Sequence, residues 1–318
     1  MKFGASIWPF KWDPPYEATI PRIARLGFTA IELIAWDRAT LDDYYTPARI
    51  AELRRIIDGE GLELSEFVST PRGMSHPDPA IRAQALDHFK RMLDVADALG
   101  TKMVNSVSTY PFAIEFPSIT ARPLMQEQLV NIPSGLDWKQ NFLDYCDILR
   151  QCGELCESGG FRYALEPHPY RYMANAAGML RIFDHVPSPA LGINFDPSHL
   201  YPAGEIPHVV LYQLAERIFH CHFSDNDGLT NAHWRPGKGK IDWYAIMVAL
   251  RDINFDGTIS IELEDVPGVS RRVPIPSGAV RPGEDPQTAF DRENVASVRY
   301  IRDIAADLGL TIAWNGPD

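Results

Sequence analysis

The chain has 318 residues, 45% of them hydrophobic, and carries a formal net charge of −12 at pH 7. This length is common for an α/β barrel built as one domain, and the apolar content is enough for a large core. The acidic balance argues against a nucleic-acid partner, because proteins that bind phosphate backbones gain most of their affinity from positive charge. It leaves small sugars and neutral metabolites open as substrates.

The N-terminal segment and the cysteines indicate a cytoplasmic protein. The first residues, MKFGASIWPF, resemble neither a signal peptide nor a membrane anchor. No segment approaches the roughly 18 to 20 apolar residues of a membrane-spanning helix. The four cysteines form no CxxC pair, and we expect them to be reduced and packed as small apolar groups. We therefore expect no membrane partner.

Short β-type runs alternate with helical patterns along the whole chain. The predicted strands are 3–8, 30–36, 62–69, 102–108, 162–167, 191–196, 218–224 and 258–264. Apolar residues at three- and four-residue spacing predict helices between them, for example over 79–100, 138–160 and 242–257. This alternation, with no compositional break, predicts a single-domain (β/α)₈ TIM barrel over residues 1–318. An open doubly wound sheet is the alternative, and it is weakened because no GxGxxG motif follows the first strand.

Long loops follow three of the predicted strands, at 109–136, 224–241 and 265–289, whereas the helix-to-strand loops are short. In α/β barrels the loops after the strands form the rim of the active site. The asymmetry therefore predicts a functional site at the carboxyl ends of the strands.

Predicted strands five to eight each end in a side chain of a type that binds metals. These residues are Glu166 in LEPHPY, Asp196 in FDPSHL, His222 in HCHFSDND and Glu262 in SIELED. Side chains alternate along a strand, so each of them can point into the barrel. Three converging carboxylates would repel one another, and a divalent cation removes that repulsion. The oxygen-rich set suits Mn²⁺, Mg²⁺ or Co²⁺, with Zn²⁺ as a further alternative, and we expect Mn²⁺ first.

These motifs resemble those of the xylose isomerase-like TIM barrel superfamily, which includes sugar phosphate isomerases and epimerases. The resemblance covers nearly the whole chain, and PGKGKIDW (236–243) is a further matching segment. It implies that the four strand-end residues bind one divalent metal ion. It also implies that His199 and an arginine in the seventh-strand loop contact the substrate, and Arg235 is the candidate for that arginine.

The two strand-end glutamates predict proton-transfer chemistry. A metal held by Glu166 and Glu262 polarises a carbonyl and the hydroxyl on the adjacent carbon, which makes the C–H proton of that carbon removable. One glutamate can take the proton and the other can return it, as in epimerisation or aldose–ketose isomerisation of a keto-sugar or related polyol through an enediolate. The resemblance implies the same roles. His168 shares a strand face with Glu166 and is a further candidate acid, base or hydroxyl donor.

Several other residues are candidates for substrate contact. Trp8 and Trp36 are the last residues of the first two predicted strands, where aromatic faces can stack on a sugar ring or aglycone, although packing of the barrel mouth explains them equally well. Asn105, near the end of the fourth strand, is another expected contact. No cluster of Lys or Arg marks a phosphate site, which favours a neutral sugar.

Other activities remain open within the same family. A lyase is the main alternative, either a keto-inositol dehydratase or the catalytic subunit of a 3-keto C-glycoside deglycosidase, because loss of a β-substituent competes with reprotonation of an enediolate. The segment 266–290 would then suit an interface with a small second subunit, or a lid. An AP-endonuclease-type nuclease is less favoured, because strands two to four lack the extra histidines that the resemblance would require. We also expect a homo-oligomer.

Overall fold

Eight parallel strands close into a barrel in the computed structural model of the protein, and each strand pairs with its neighbours in chain order. The last strand pairs with the first, with Phe3 opposite Ile259 and Ala5 opposite Ile261. The structure describes residues 1–114, 132–266 and 283–316. The strands are β1 (Lys2–Ser6), β2 (Ala30–Ala35), β3 (Glu63–Ser69), β4 (Met103–Val107), β5 (Arg162–Glu166), β6 (Leu191–Phe195), β7 (Ile218–Phe223) and β8 (Thr258–Ile261).

Helices connect the strands and cover the outside of the barrel. In the described residues they are α1 (Thr19–Arg25), α2 (Arg38–Asp43), α3 (Pro47–Gly59), α4 (Pro79–Leu99), α5 (Trp138–Gly159), α6 (Ala176–His185), α7 (Pro197–Leu200), α8 (Pro207–Leu214), α9 (Trp243–Asp252) and α10 (Pro286–Asp307). The predicted single-domain (β/α)₈ barrel is confirmed. Most of the predicted loop at 265–289, including its proposed use as an interface or lid, lies outside the described residues.

Local sequence signals set the ends of the long helices. Asp78 accepts a hydrogen bond from the backbone N–H of Ala80 at the start of α4 (2.8 Å), and Asp137 caps α5 in the same way. Gly100 ends α4 with φ +89°, a left-handed conformation that costs little for a residue without Cβ. These ends aim each helix back toward the next strand.

Outward-facing strand residues pack against the helices. In β7, the ring of Phe223 lies 4.7 Å from that of Trp243 on α9, and in β5 the ring of Tyr163 lies 4.7 Å from that of Phe89 on α4. All four residues are buried. Helices cover this face, so most outward positions are apolar, and a polar one such as Ser69 on β3 is hydrogen-bonded to His88 of α4 (2.9 Å).

Inward-facing positions carry polar side chains where many α/β barrels place branched apolar ones. The buried polar side chains on the strands of the barrel interior include Ser6, Glu32, Glu66, Asn105, Asn194, His220, His222 and Ser260. Hydrogen bonds join them across strands: Ser6 Oγ donates to Glu32 Oε2 (3.0 Å), and Asn105 Nδ2 donates to Glu66 Oε1 (2.9 Å). The interior is therefore a polar network next to the strand ends.

The four cysteines are buried and free. Within the part of the chain that the structure describes, none of the helices combines the length and the apolar character needed to cross a membrane.

Close packing of β6 on β7 makes Gly192 sensitive to substitution. A Cβ there would lie 2.6 Å from the carbonyl oxygen of Arg217 and 2.5 Å from Phe219 Cε2. We expect Gly192→Ala to lower the free energy of unfolding by about 1–3 kcal/mol, as for other overpacked sites. Gly59→Ala is the control, because a Cβ at the end of α3 meets no atom within 4 Å. Urea denaturation of both variants checks this, and equal stability of Gly192→Ala and wild type would contradict it.

Candidate metal centre and active site

Four side chains from β5 to β8 converge at the mouth of the barrel. Glu166 is the last residue of β5, Asp196 and Glu262 directly follow β6 and β8, and His222 is the penultimate residue of β7. One ligand atom from each lies within 4.8 Å of the others, and all four residues are buried. The structure thus brings together the four residues that the sequence predicts as metal ligands.

Asp196 is positioned by the turn that ends β6. Pro197 begins the four-residue helix α7, and Asp196 Oδ1 accepts a hydrogen bond from the backbone N–H of Ser198 (2.7 Å). This capping bond uses one carboxylate oxygen. The other, Oδ2, is buried and has no hydrogen-bond partner among the described residues.

His222 is held between carboxylates on both sides of its ring. Nε2 lies 3.0 Å from Glu32 Oε2, while Nδ1 lies 2.7 Å from Glu166 Oε1 and 3.1 Å from Glu262 Oε2. In the tautomer with its proton on Nε2, His222 donates to Glu32 and turns the lone pair of Nδ1 toward the strand-end carboxylates, as a metal ligand requires. A carboxylate behind a histidine commonly fixes the tautomer of a metal ligand in this way.

Each of the two glutamates divides its oxygens between different neighbours. Glu262 Oε1 accepts a hydrogen bond from Trp8 Nε1 (2.7 Å), while Glu262 Oε2 is buried without a hydrogen-bond partner in the described chain. Glu166 Oε1 faces His222 and accepts from Asn194 Nδ2 (3.2 Å), and Glu166 Oε2 lies 3.6 Å from His168 Nε2. Each carboxylate therefore offers one oxygen to the point where the four residues meet.

A divalent cation fits this donor set. Two of the carboxylate oxygens, on Asp196 and Glu262, are buried and unsatisfied in the described residues. Buried charges in proteins are paired or bind metals, because an isolated buried carboxylate loses its hydration without compensation. Three carboxylates and one imidazole form a set that Mn²⁺, Mg²⁺, Co²⁺ and Zn²⁺ all accept.

Burial and neighbouring charges shift the pKa values of the cluster residues in different directions. Burial raises the pKa of Glu166 to about 8. Burial acts in the same direction on Glu262, but the charge of His222 outweighs it and lowers the pKa of Glu262. For His222, burial is opposed by Glu32, Glu262 and Glu166, which together raise its pKa well above the usual value. A proton and a metal ion therefore compete for the same position.

A cavity of about 270 Å³ opens above this cluster. The predicted residues that line it are Trp8, Trp36, Glu166, His168, His199 and Glu262. One wall is aromatic, because the rings of Trp12 and Trp36 are stacked with centroids 4.1 Å apart. Trp36 Nε1 also donates to the carbonyl oxygen of Trp12 (2.6 Å), which fixes the pair.

The opposite wall contains two neutral imidazoles. The rings of His168 and His199 lie 3.5 Å apart between centroids. Burial lowers the pKa of His168 well below its usual value and that of His199 to about 4. His199 Nδ1 forms a hydrogen bond with Asn231 Oδ1 (2.9 Å), which holds the ring at the cavity wall beside Asp196.

Two predicted contacts do not reach this cavity. Asn105 lies deeper in the barrel, fully buried and bonded to Glu66, and Val107 lines the cavity two residues later on the same face of β4. Arg235 donates from Nε to Glu293 Oε2 on α10 (3.2 Å) and lines a separate cavity. The geometry therefore supports neither residue as a substrate contact.

His233 is a cavity residue that the sequence reasoning missed. Its Nε2 lies 3.4 Å from Asp196 Oδ2, and its Nδ1 lies 3.6 Å from Asp265 Oδ2. Burial would lower the pKa of His233, but these two carboxylates raise it well above the usual value. The available signal was the histidine two positions before Arg235 in HWRPGKG, in the long loop that the bridge between Asp225 and Trp234 closes.

Comparison with known proteins identifies the family. Residues 20–279 match the family described as Xylose isomerase-like TIM barrel. The chain belongs to this family. It is 32% identical over 272 residues to an uncharacterized protein of Methanocaldococcus jannaschii, an alignment that covers 84% of this chain and 85% of that protein.

Further similarities within the family are more distant. The chain is 22% identical over 272 residues to D-psicose 3-epimerase of Ruminiclostridium cellulolyticum, which covers 82% of this chain and 83% of that protein. Its fold is similar to the crystal structure of D-psicose 3-epimerase with D-tagatose from Clostridium cellulolyticum H10, with a TM-score of 0.74 and 20% identity. That superposition covers 96% of this chain and 99% of the other.

The contact between Glu32 and His222 makes a prediction about metal affinity. We expect Glu32→Gln to weaken Mn²⁺ binding by about 10- to 100-fold, because the amide accepts the Nε2 proton less strongly and no longer fixes the tautomer. Calorimetric titration of Mn²⁺ into chelator-treated protein measures this. Asp196→Ala lacks one of the four proposed ligands, so its Mn²⁺ affinity shows how much binding is lost when a ligand itself is removed.

Glu63→Gln serves as the matched control for this experiment. Glu63 is exposed on the neighbouring strand β3 and pairs with Lys2 on the surface, so its removal should leave Mn²⁺ affinity unchanged. Equal affinities for Glu32→Gln and Glu63→Gln would show that Glu32 does not orient His222.

Proposed function

We propose that this protein is a divalent-metal-dependent epimerase or isomerase that acts on a keto-sugar or related polyol through an enediolate. The observation that carries this proposal is the pair Glu166 and Glu262, each with one oxygen at the cation position and the other turned elsewhere. D-psicose 3-epimerase, a relative over most of the chain, supports the reaction class.

Glu166, Asp196, His222 and Glu262 would hold the cation, and Mn²⁺ is the ion we propose first. When bound, the cation supplies a Lewis acid that polarises a substrate carbonyl and stabilises negative charge on oxygen. The barrel supplies the preorganisation, because His222 is oriented from behind by Glu32 and Asp196 is fixed by the turn at Pro197.

The two glutamates would move the proton. They lie on β5 and β8, which are separated by two strands in the barrel, so they approach the cavity from different directions. One removes the proton from the carbon next to the carbonyl, and the other returns a proton to the opposite face or to the neighbouring carbon. The indole N–H of Trp8 holds Glu262 in place during this exchange.

The remaining cavity residues would orient the substrate and exclude water. The stacked Trp12 and Trp36 form a rigid apolar wall, which suits the C–H face of a sugar and limits side reactions of an enediolate. His199 and His168 face this wall as neutral rings. Because His199 donates its Nδ1 proton to Asn231 Oδ1, its Nε2 atom would accept a hydrogen bond from a sugar hydroxyl. A volume of about 270 Å³ suits a single sugar unit.

The nuclease alternative lacks support in the barrel. β2, β3 and β4 end in Ala35, Ser69 and Val107, so none of these strands supplies a histidine at its end. A nuclease of this superfamily would need such residues to bind further zinc ions.

Neutralising either glutamate should stop proton exchange. We expect Glu166→Gln and Glu262→Gln, each loaded with Mn²⁺, to lose the incorporation of solvent deuterium into a keto-sugar while remaining folded. Mass spectrometry of wild-type reactions in heavy water should show isomers that carry one added deuterium. Glu63→Gln is the control for carboxyl removal on the surface.

Two results would count against this mechanism. Deuterium incorporation retained in both glutamine variants would move the chemistry to another group, with His168 the first candidate. A product that has lost water or a glycosidic leaving group would identify a lyase instead, because epimerisation and isomerisation conserve mass.

His199 should affect turnover without affecting the metal. We expect His199→Ala to lower turnover by about 10²-fold, because a lost contact that orients the reacting sugar carbon misplaces it relative to the glutamates. Its Mn²⁺ content should match that of wild type, because the four-residue donor set is complete without it. His208→Ala, on α8, is the control. Loss of metal together with turnover would make His199 a ligand, and normal turnover would make it only a brace for Asp196.

A further inference from the structure

Arg171 is a positioned cation on the wall of the substrate cavity. Of the residues that line this cavity in the described chain, it is the one Lys or Arg. Its Nη1 donates to the carbonyl oxygen of Ser108 (2.6 Å), and its Cζ lies 4.0 Å from the ring centroid of Tyr110. These two contacts fix the guanidinium before any ligand arrives.

The guanidinium has no acidic partner within residues 1–114, 132–266 and 283–316. Its contacts there are with the Ser108 carbonyl and the ring of Tyr110. Glu166 acts on it by a longer-range Coulombic attraction and forms no hydrogen bond with it. Its Nε atom is buried and donates no hydrogen bond in that part of the chain. Burial lowers the pKa of Arg171, in keeping with a charge that is poorly compensated. The residue as a whole is partly buried, and a charge in that position without an acidic partner is costly unless a ligand uses it.

We propose that Arg171 binds a carboxylate of the substrate, so that the preferred substrate is a keto-sugar acid and not a neutral sugar. This inference rests on the proposed function, since it names the substrate class of the same site. It replaces the expectation of a neutral sugar, which came from the absence of a Lys or Arg cluster in the sequence.

The chemistry of the guanidinium favours a carboxylate over a phosphate. A planar guanidinium with free N–H groups can bind both oxygens of a carboxylate, and such charge-assisted pairs are strong and directional. A phosphate dianion usually requires more positive charge than one arginine, and the described cavity wall offers no second Lys or Arg. Arg171 also lies on the same β5–α6 loop as His168, five residues after Glu166, so an anchored carboxylate would present the sugar chain to the proposed catalytic residues.

Turnover of matched substrate panels tests the proposal. The Mn²⁺-loaded protein is assayed with ketohexoses, ketohexuronates and ketohexose phosphates that together cover the configurations at the three secondary carbons. We expect the best substrate to be a ketohexuronate. Arg171→Gln should lower kcat/KM for that acid by about 10²-fold, mainly through KM, and change kcat/KM for the neutral sugar by less than about threefold. Arg171→Lys should give an intermediate value, because it keeps the charge but not the paired N–H groups.

Arg217→Gln is the matched structural control. Arg217 also lies over an aromatic ring, Phe183 at 4.9 Å, and donates to the backbone carbonyls of Ser188 and Leu191, but outside the cavity. Its loss should leave the preference between acid and neutral sugar unchanged. Thermal unfolding and Mn²⁺ content of each variant confirm that the protein is intact.

The outcomes separate this inference from the proposed function. Preference for a neutral sugar or a phosphate overturns the carboxylate site but leaves the isomerase proposal standing. An equal loss for acid and neutral substrates in Arg171→Gln also overturns it, because that result assigns Arg171 to bracing the loop at Ser108. Absence of reaction with all three panels, with Mn²⁺ bound, contradicts the proposed function and this inference together.

Discussion

The placement of one imidazole between two groups of carboxylates determines how this barrel is organised. His222 presents Nδ1 to Glu166 and Glu262 at the mouth and Nε2 to Glu32 in the interior. Because the ring is held from both sides, it cannot rotate. Its Nδ1 atom therefore keeps a fixed position relative to the strand-end carboxylates. The same contact links the rim chemistry to the barrel core, because Glu32 is itself held by Ser6.

The polar interior that orients His222 lowers the stability of the barrel. Several interior atoms, among them Glu66 Oε2 and Ser260 Oγ, are buried without hydrogen-bond partners in the described residues, and Glu32 Oε1 makes only a 3.3 Å ion-pair contact with His220 Nε2. Such atoms lower stability compared with a core of branched apolar side chains. The outward faces of the strands compensate through dense aromatic packing on the helices, as in the contact of Phe223 with Trp243.

The sequence predicted the site residues whose positions follow from the alternation of side chains along a strand. It did not predict how deep a side chain lies in the barrel or which loop residues reach the cavity. Alternation along β5 to β8 was enough to identify Glu166, Asp196, His222 and Glu262 as one cluster. Asn105 was placed one layer too high, because alternation gives the face of a side chain but not its depth. His233 and Arg171 reach the cavity through loops whose course is set by distant contacts, such as the bridge from Asp225 to Trp234 and the bond to the Ser108 carbonyl.

Anomalous diffraction from crystals grown with Mn²⁺ tests the central claim most directly. The barrel contains other groups of buried acids and histidines, including Glu32, Glu66 and His220 in the interior and Asp196, His199 and His233 at the wall. A single strong peak among Glu166, Asp196, His222 and Glu262, with the Nδ1 atom of His222 as a ligand, is the result predicted here. A peak in any of the other groups, with none among the four strand-end residues, would contradict the account.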